Sequence, residues 1–129
     1  KGVCVLHTIG SILPPQPNAP FIQKWIFPDG EIPHESDMAK NIEKSGLIMS
    51  DRETLIRHYD KTLEEWLKRF LKNKHIAKDL FDKKFVKMWE FYLASCSAAF
   101  RYRDLVVFQY QLVKNFDAIP SNRRDYIYS

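Results

Sequence analysis

Four side chains in this sequence could carry chemistry, and they are scattered along it: His7, Tyr59, Cys4 and Cys96. His7 lies near the end of an apolar run that opens at Gly2 and closes at Gly10. An imidazole at the carboxyl end of a strand stands where ligands of α/β sheets gather. The competing reading is a core histidine with its polar atoms satisfied. Tyr59 offers a phenolic hydroxyl on an apolar helix stripe, which by itself describes a core tyrosine with one polar tip. A nucleophilic thiolate needs a positive neighbour or a helix N-terminus. Cys96 has neither: it falls mid-helix beside Leu93, Ala99 and Phe100, which suits the lining of a pocket. Cys4 reads as core. No Cys-x-x-Cys and no histidine cluster accompanies them, so neither a metal site nor a disulfide framework is expected. A reducing cytoplasm is the matching compartment.

These residues need elements to hold them. Between Gly2 and Gly10, Val3, Val5, His7 and Ile9 point to one side of a strand, and Cys4, Leu6 and Thr8 to the other. Both sides are mostly apolar, as in a strand of a parallel α/β sheet covered on both faces. Ligands of such sheets gather outside the carboxyl ends of the strands, and His7 to Gly10 stand at that end. Four prolines between Ser11 and Pro20 make a surface loop. Phe21 to Phe27 is a short aromatic piece, followed by a turn at Pro28-Asp29-Gly30. Ser36 predicts the cap of a short helix over 38–44, with Gly46 as its stop. Leu47-Ile48-Met49 reads as a short strand.

From Arg52, Leu55, Tyr59, Leu63, Trp66 and Phe70 recur at helical spacing. Asn73 to Ala77 is expected to break that helix. A second runs over 80–102, with Phe85, Trp89, Tyr92, Leu93, Cys96 and Phe100 on its inner side. Ser95, Ser97, Ala98 and Ala99 are small enough to let another element approach. Residues 104–113 alternate and are rich in branched and aromatic types, a strand. The tail over 114–129 is polar, with a frayed end expected.

With 129 residues, 45% hydrophobic, the chain has material for one cored domain. A net charge of +4 permits an anionic lipid surface or nucleic acid and demands neither. No aromatic–basic reading surface favours nucleic acid. No run reaches the ~20 apolar residues of a spanning helix, so membrane contact would be peripheral. No glycine-rich phosphate loop is present.

Four stretches in register carry a resemblance. They are Leu6-His7-Thr8-Ile9-Gly10-Ser11, Trp25-Ile26-Phe27-Pro28-Asp29-Gly30-Glu31-Ile32-Pro33, His58-Tyr59-Asp60-Lys61-Thr62-Leu63-Glu64-Glu65-Trp66, and Met88-Trp89-Glu90-Phe91-Tyr92-Leu93-Ala94-Ser95-Cys96 running into Ala98-Ala99-Phe100-Arg101. Together they resemble the cyclopropane fatty acid synthase family, over 2–113. The resemblance implies the C-terminal half of a doubly wound, class I S-adenosylmethionine-dependent methyltransferase sheet. It implies a strand over 2–9, a lipid-site insertion over 11–46, two long helices over 52–102 and a strand over 104–113. The implied reaction places the methyl carbon across a cis double bond of a phospholipid acyl chain. The resulting carbocation loses a proton to bicarbonate and closes to a cyclopropane.

By the same resemblance His7, the Ile9 backbone and Tyr59 hold bicarbonate, and Cys96 matches a cysteine designated as active-site. S-adenosylmethionine would be held upstream of Lys1, so this portion alone is expected to be inactive. Phe21, Trp25 and Phe27 would meet the acyl chain or the bilayer, or form a satellite core. Trp66, Trp89, Phe85 and Tyr92 build the helical core, some facing an acyl slot where a carbocation would gain cation–π stabilisation. Partners are unsaturated phospholipids at the inner face of the membrane and, through an uncovered sheet edge, a second copy in a homodimer. The alternatives are a relative making methyl-branched acyl chains and a non-catalytic lipid-binding module. The stretch Met49 to Thr54 departs from the family pattern and carries no assignment.

Overall fold

A computed structural model describes residues 2–121 and 123–128. Three strands form one sheet: β1 (Val3–Ser11), β2 (Ile48–Leu55) and β3 (Leu105–Val113), in the order β1-β3-β2. Two short helices, α1 (Pro20–Trp25) and α2 (Glu35–Lys44), lie between β1 and β2. A long antiparallel pair, α3 (His58–Leu80) and α4 (Lys83–Tyr102), lies between β2 and β3. The result is a mixed α/β unit.

The core sits on both faces of β3. Val106, Phe108, Tyr110 and Leu112 alternate onto one face and pack with Ile42 of α2, Leu6 and Leu47. Val107 turns the other way and joins Leu63, Leu93 and Phe100 of the helix pair. Period-2 alternation in the strand thus meets a helical stripe on each side.

The strand covered on both faces is therefore β3, not the opening run. β1 is an edge strand, antiparallel to β3, with Leu6 opposite Tyr110 and Ile9 opposite Val107. Val5 is 69% exposed, and Cys4, expected in the core, is also exposed. The outer edge is met only at its end, where the Ser11 amide donates to the Pro33 carbonyl at 3.0 Å beside a bridge to His34; among the described residues no strand pairs with the edge from Val3 to Ile9. The parallel relation survives at one remove: β1 and β2 run in the same direction, each antiparallel to the β3 between them.

Three local expectations change. Residues 48–55 form β2 rather than a short strand and a helix start. Its polar stretch Asp51-Arg52-Glu53-Thr54 is held by the β3 ladder, past an irregularity at Ser50, and by the Arg52–Glu35 ion pair at 3.0 Å. The chain then enters α3 through Arg57 in the left-handed region, φ 59°. Asn73 to Ala77 does not break the helix. It contains no Gly or Pro, and the Asn73 side chain donates to the Arg69 carbonyl at 2.8 Å, within the helix. His34, not Ser36, caps α2, its Nδ1 accepting from the Ser36 amide. The tail folds back onto β2 and β3, where Arg124 pairs with Asp51 at 2.7 Å and the Tyr126 hydroxyl donates to Gln111 at 3.1 Å. The end expected to fray, Ser129, lies outside the described residues.

Candidate functional site

His7, Ile9, Tyr59 and Cys96 share one face of the sheet, the face that carries the helix pair, whereas Cys4, opposite Leu112, turns to the other face. β1 presents Val3, Val5, His7 and Ile9 to it, because partners directly across an antiparallel ladder lie on the same side. Ile9 is paired with Val107, whose side chain is part of the α3–α4 core. His7 comes two residues earlier on β1. It stands mid-strand rather than at the strand end, since β1 runs on to Ser11.

The His7 side chain is exposed, and its Nδ1 meets the Gln109 side-chain amide nitrogen at 3.2 Å. An amide nitrogen only donates, so Nδ1 accepts. The neutral ring then carries its proton on Nε2. That leaves an N–H donor free on the open side of the ring.

Tyr59 sits in the first turn of α3, half-buried, edge-on to Trp66 at 5.8 Å and tilted against Phe100 at 5.3 Å. Its hydroxyl takes no hydrogen-bond partner among the described residues. Trp66, expected in the core, is 44% exposed and covers Tyr59 from outside. Cys96 packs into the same cluster as Tyr59. Burial pushes its thiol up, so it is a thiol at neutral pH and not a thiolate nucleophile. The Tyr92 hydroxyl is raised too, first by burial and then by the neighbouring Cys96 and Tyr59.

Sequence reasoning missed the polar clamp behind Tyr59. Asp60 is buried, and the Ser97 hydroxyl donates to it at 2.5 Å. Arg101 Nε and a second guanidinium nitrogen donate to the same carboxylate at 2.8 and 3.1 Å, and the guanidinium also binds Glu64. The hydrogen bond from Arg101, then that from Ser97, holds the Asp60 carboxyl below its usual range. The available signal was spacing: Asp60 and Glu64 on one helix, Ser97 and Arg101 on the other, each pair four apart on otherwise apolar stripes. Gln109, which orients His7, was hidden inside an apolar strand.

α1 lies against the outside of α4: Phe21 is edge-on to Phe91 at 4.7 Å and Phe27 to Tyr92 at 6.1 Å. The two principal concavities are open depressions, one lined by Thr54 to His58 with Lys61, the other by Ser50, Asp51 and tail residues. Neither takes in His7, Tyr59 or Cys96, so these residues share a face without being enclosed by it. No group of acidic, histidine or cysteine side chains among the described residues could hold a metal ion. No helix there is long and apolar enough to cross a membrane. The glycines do not form a nucleotide turn: Gly10 is packed under Phe108, and Gly46 ends α2. Neither glycine is placed to cradle a phosphate or nucleotide.

Comparisons with known proteins agree with this architecture. The cyclopropane-fatty-acyl-phospholipid synthase of Escherichia coli is 36% identical over 109 residues, covering 84% of this chain and 28% of that protein. The tuberculostearic acid methyltransferase UfaA1 of Mycobacterium tuberculosis is 38% identical over 96 residues, 73% of this chain and 22% of that one. The structure of the cyclopropane synthase MmaA2 from Mycobacterium tuberculosis superposes with a TM-score of 0.79 at 27% identity, over 86% of this chain and 44% of that one. The mycolic acid cyclopropane synthase CmaA1 complexed with SAH and CTAB superposes with a TM-score of 0.77 at 28% identity, over the same shares. The chain thus spans less than half the length of each. The family model described as mycolic acid cyclopropane synthetase matches residues 1–110, from β1 through the helix pair and most of β3, and the chain belongs to that family.

Proposed function

We propose that this chain is the lipid-side portion of an S-adenosylmethionine-dependent methyltransferase that forms cyclopropane rings on unsaturated phospholipid acyl chains. Family membership supports the reaction class. The observation that carries the site is that two uncommitted donors lie on one face of the sheet: the His7 ring, its Nδ1 occupied by Gln109, and the free Tyr59 hydroxyl. With the Ile9 backbone they suit a small oxyanion, and bicarbonate bound there would supply a base. S-adenosylmethionine supplies the methyl group and belongs to a portion upstream of these residues.

This chain's own work is positional. Gln109 keeps the His7 proton on Nε2. The Asp60–Ser97–Arg101 clamp pins the first turn of α3 to α4, which fixes the adjacent Tyr59. The Trp66 and Phe100 rings pack against the Tyr59 ring and hold it in place. Cys96 lines this wall.

Tyr59→Phe in the intact enzyme tests the reading. Loss of a hydrogen bond to a charged group costs about 1.5–3 kcal/mol. The variant should therefore need roughly ten- to a hundred-fold more bicarbonate for half-maximal methyl transfer. Unchanged bicarbonate dependence would remove Tyr59 from the site.

A second reading is a methyl-branched product, favoured by the 38% identity to a tuberculostearic acid methyltransferase. Mass spectrometry of the host's lipids separates the two products by two hydrogens.

A further inference from the structure

The α3–α4 turn is built differently from the rest of the surface. Lys72, Lys74, Lys78, Lys83, Lys84 and Lys87 stand against Asp79 and Asp82 alone, a net +4 over residues 72–87. The net charge of the whole chain is also +4. All six lysines are exposed, and none forms an ion pair among the described residues. Set among them are the exposed apolar side chains Ile76, Leu80 and Phe81, the last two 71% and 62% exposed. Elsewhere on the same helices the charges are offset, as at Lys68–Glu65 and Arg101–Glu64.

Exposed apolar side chains ringed by unpaired lysines match a bilayer interface: the rings and aliphatic groups enter the headgroup boundary while the ammonium groups meet anionic phosphates. The flank of α4 continues the pattern. Trp25 is 45% exposed, with the Lys84 ammonium 4.6 Å from its ring centre. Tryptophan favours that boundary as well.

We propose that the α3–α4 turn is a docking surface for an anionic phospholipid bilayer, with Leu80 and Phe81 as its apolar wedge. The proposal deepens the phospholipid reading above by naming the surface that meets the membrane. The tip is an anchor rather than the entrance to the site. At 1.5 Å rise per residue the end of α3 lies ~30 Å from Tyr59. A single acyl chain spans only about half of the ~30 Å hydrocarbon core.

The test is sedimentation of the intact protein with phosphatidylglycerol-containing vesicles and with pure phosphatidylcholine vesicles, without methyl donor. The protein should bind the first, weakly or not the second, and release at high salt. Combined Lys74→Ala, Lys78→Ala and Lys83→Ala should weaken binding about 100-fold, at ~1 kcal/mol per lysine near the surface. Leu80→Ser with Phe81→Ser should weaken it at least ten-fold. The lysine variant should keep the wild-type melting temperature, because none of its side chains is buried, and Leu80→Ser with Phe81→Ser should lower it only slightly, through loss of the Phe81–Phe85 stacking at 4.2 Å. Both should also keep wild-type methyl transfer to detergent-dispersed lipid. Failure of the wild type to bind phosphatidylglycerol vesicles, or equal binding by the variants, overturns the proposal. Binding of duplex nucleic acid but not vesicles overturns it as well. Vesicle binding needs no turnover, so a catalytically silent protein that still docks sinks only the methyltransferase reading.

Discussion

Asp60 and Arg101 join the two long helices through a charge-assisted hydrogen bond of 2.8 Å, with Ser97 completing the carboxylate's partners. The link falls one residue after Tyr59, so the clamp sets where that ring stands. Asp60→Asn should cost about 2 kcal/mol, on the scale for hydrogen bonds to charged groups, and lower the melting temperature by several degrees. The pH dependence follows from the direction of the shift. The folded carboxyl titrates below the usual 3.8, chiefly because of Arg101. The stability it contributes is fully present above that value and is lost as pH falls through the folded value. The melting gap between wild type and Asp60→Asn should stay constant from neutrality to about pH 5 and close below pH 4. A gap independent of pH would assign the effect to packing instead.

Gly10 is a packing position. A Cβ there would lie 2.4 Å from a ring carbon of Phe108, which is fully buried in the β3 core, and 3.1 Å from the Pro33 carbonyl oxygen. Neither neighbour can step aside cheaply. Gly10→Ala should destabilise by about 1–3 kcal/mol, the usual cost of overpacking. Urea denaturation reads it, and a loss below half a kcal/mol would show that the ring relocates.

The two cysteines should separate under alkylation. Cys4 is exposed on β1, whereas Cys96 is half-buried with its thiol pushed up by burial. Iodoacetamide at neutral pH should label Cys4 first, as followed by peptide mass spectrometry. Cys96→Ser in the intact enzyme should retain most activity. A large loss of turnover with unchanged lipid affinity would make it more than lining.

Residues 1–129 on their own should pair through β1. Its outer edge is unpaired from Val3 to Ile9, closed only at Ser11 by Pro33 and His34, and it carries neither charge nor proline. β2, the other edge, carries Asp51, Arg52 and Glu53 and is protected by them. Light scattering should give a dimer that Val5→Lys converts to monomer. A monomer of the unaltered chain at high concentration would discard the edge as an interface.

The helix pair was the most legible part of the sequence. Phe85, Trp89, Tyr92, Leu93, Cys96 and Phe100 repeat at helical spacing, and all but Phe85, which stacks between Phe81 and Trp89, pack in the core shared with α3. β3 was legible for the same reason at period 2. β2 was not, because Asp51 to Thr54 has the composition of a helix start, and only the ladder with β3, far away in the chain, makes it a strand. The opening run misled in a different way. Its two apolar sides were correctly read, but composition reports whether a strand suits cover, not which neighbour supplies it. Of the proposed site, His7, Ile9 and Tyr59 are put forward by resemblance. The polar groups that orient them, Gln109 and the Asp60 clamp, depend on contacts between distant segments and leave no local pattern.

The order β1-β3-β2 also sets a timetable. His7 and Gln109, neighbours in the sheet, are separated by 102 positions in the chain. During synthesis neither outer strand can pair with β3 until Val113 has emerged. The apolar β1 spends longest in that state. Closing so long a loop before any ladder bond forms makes folding slow and late. The window in which β1 is open to chaperones, or to another nascent chain, is therefore written into the position of the last strand.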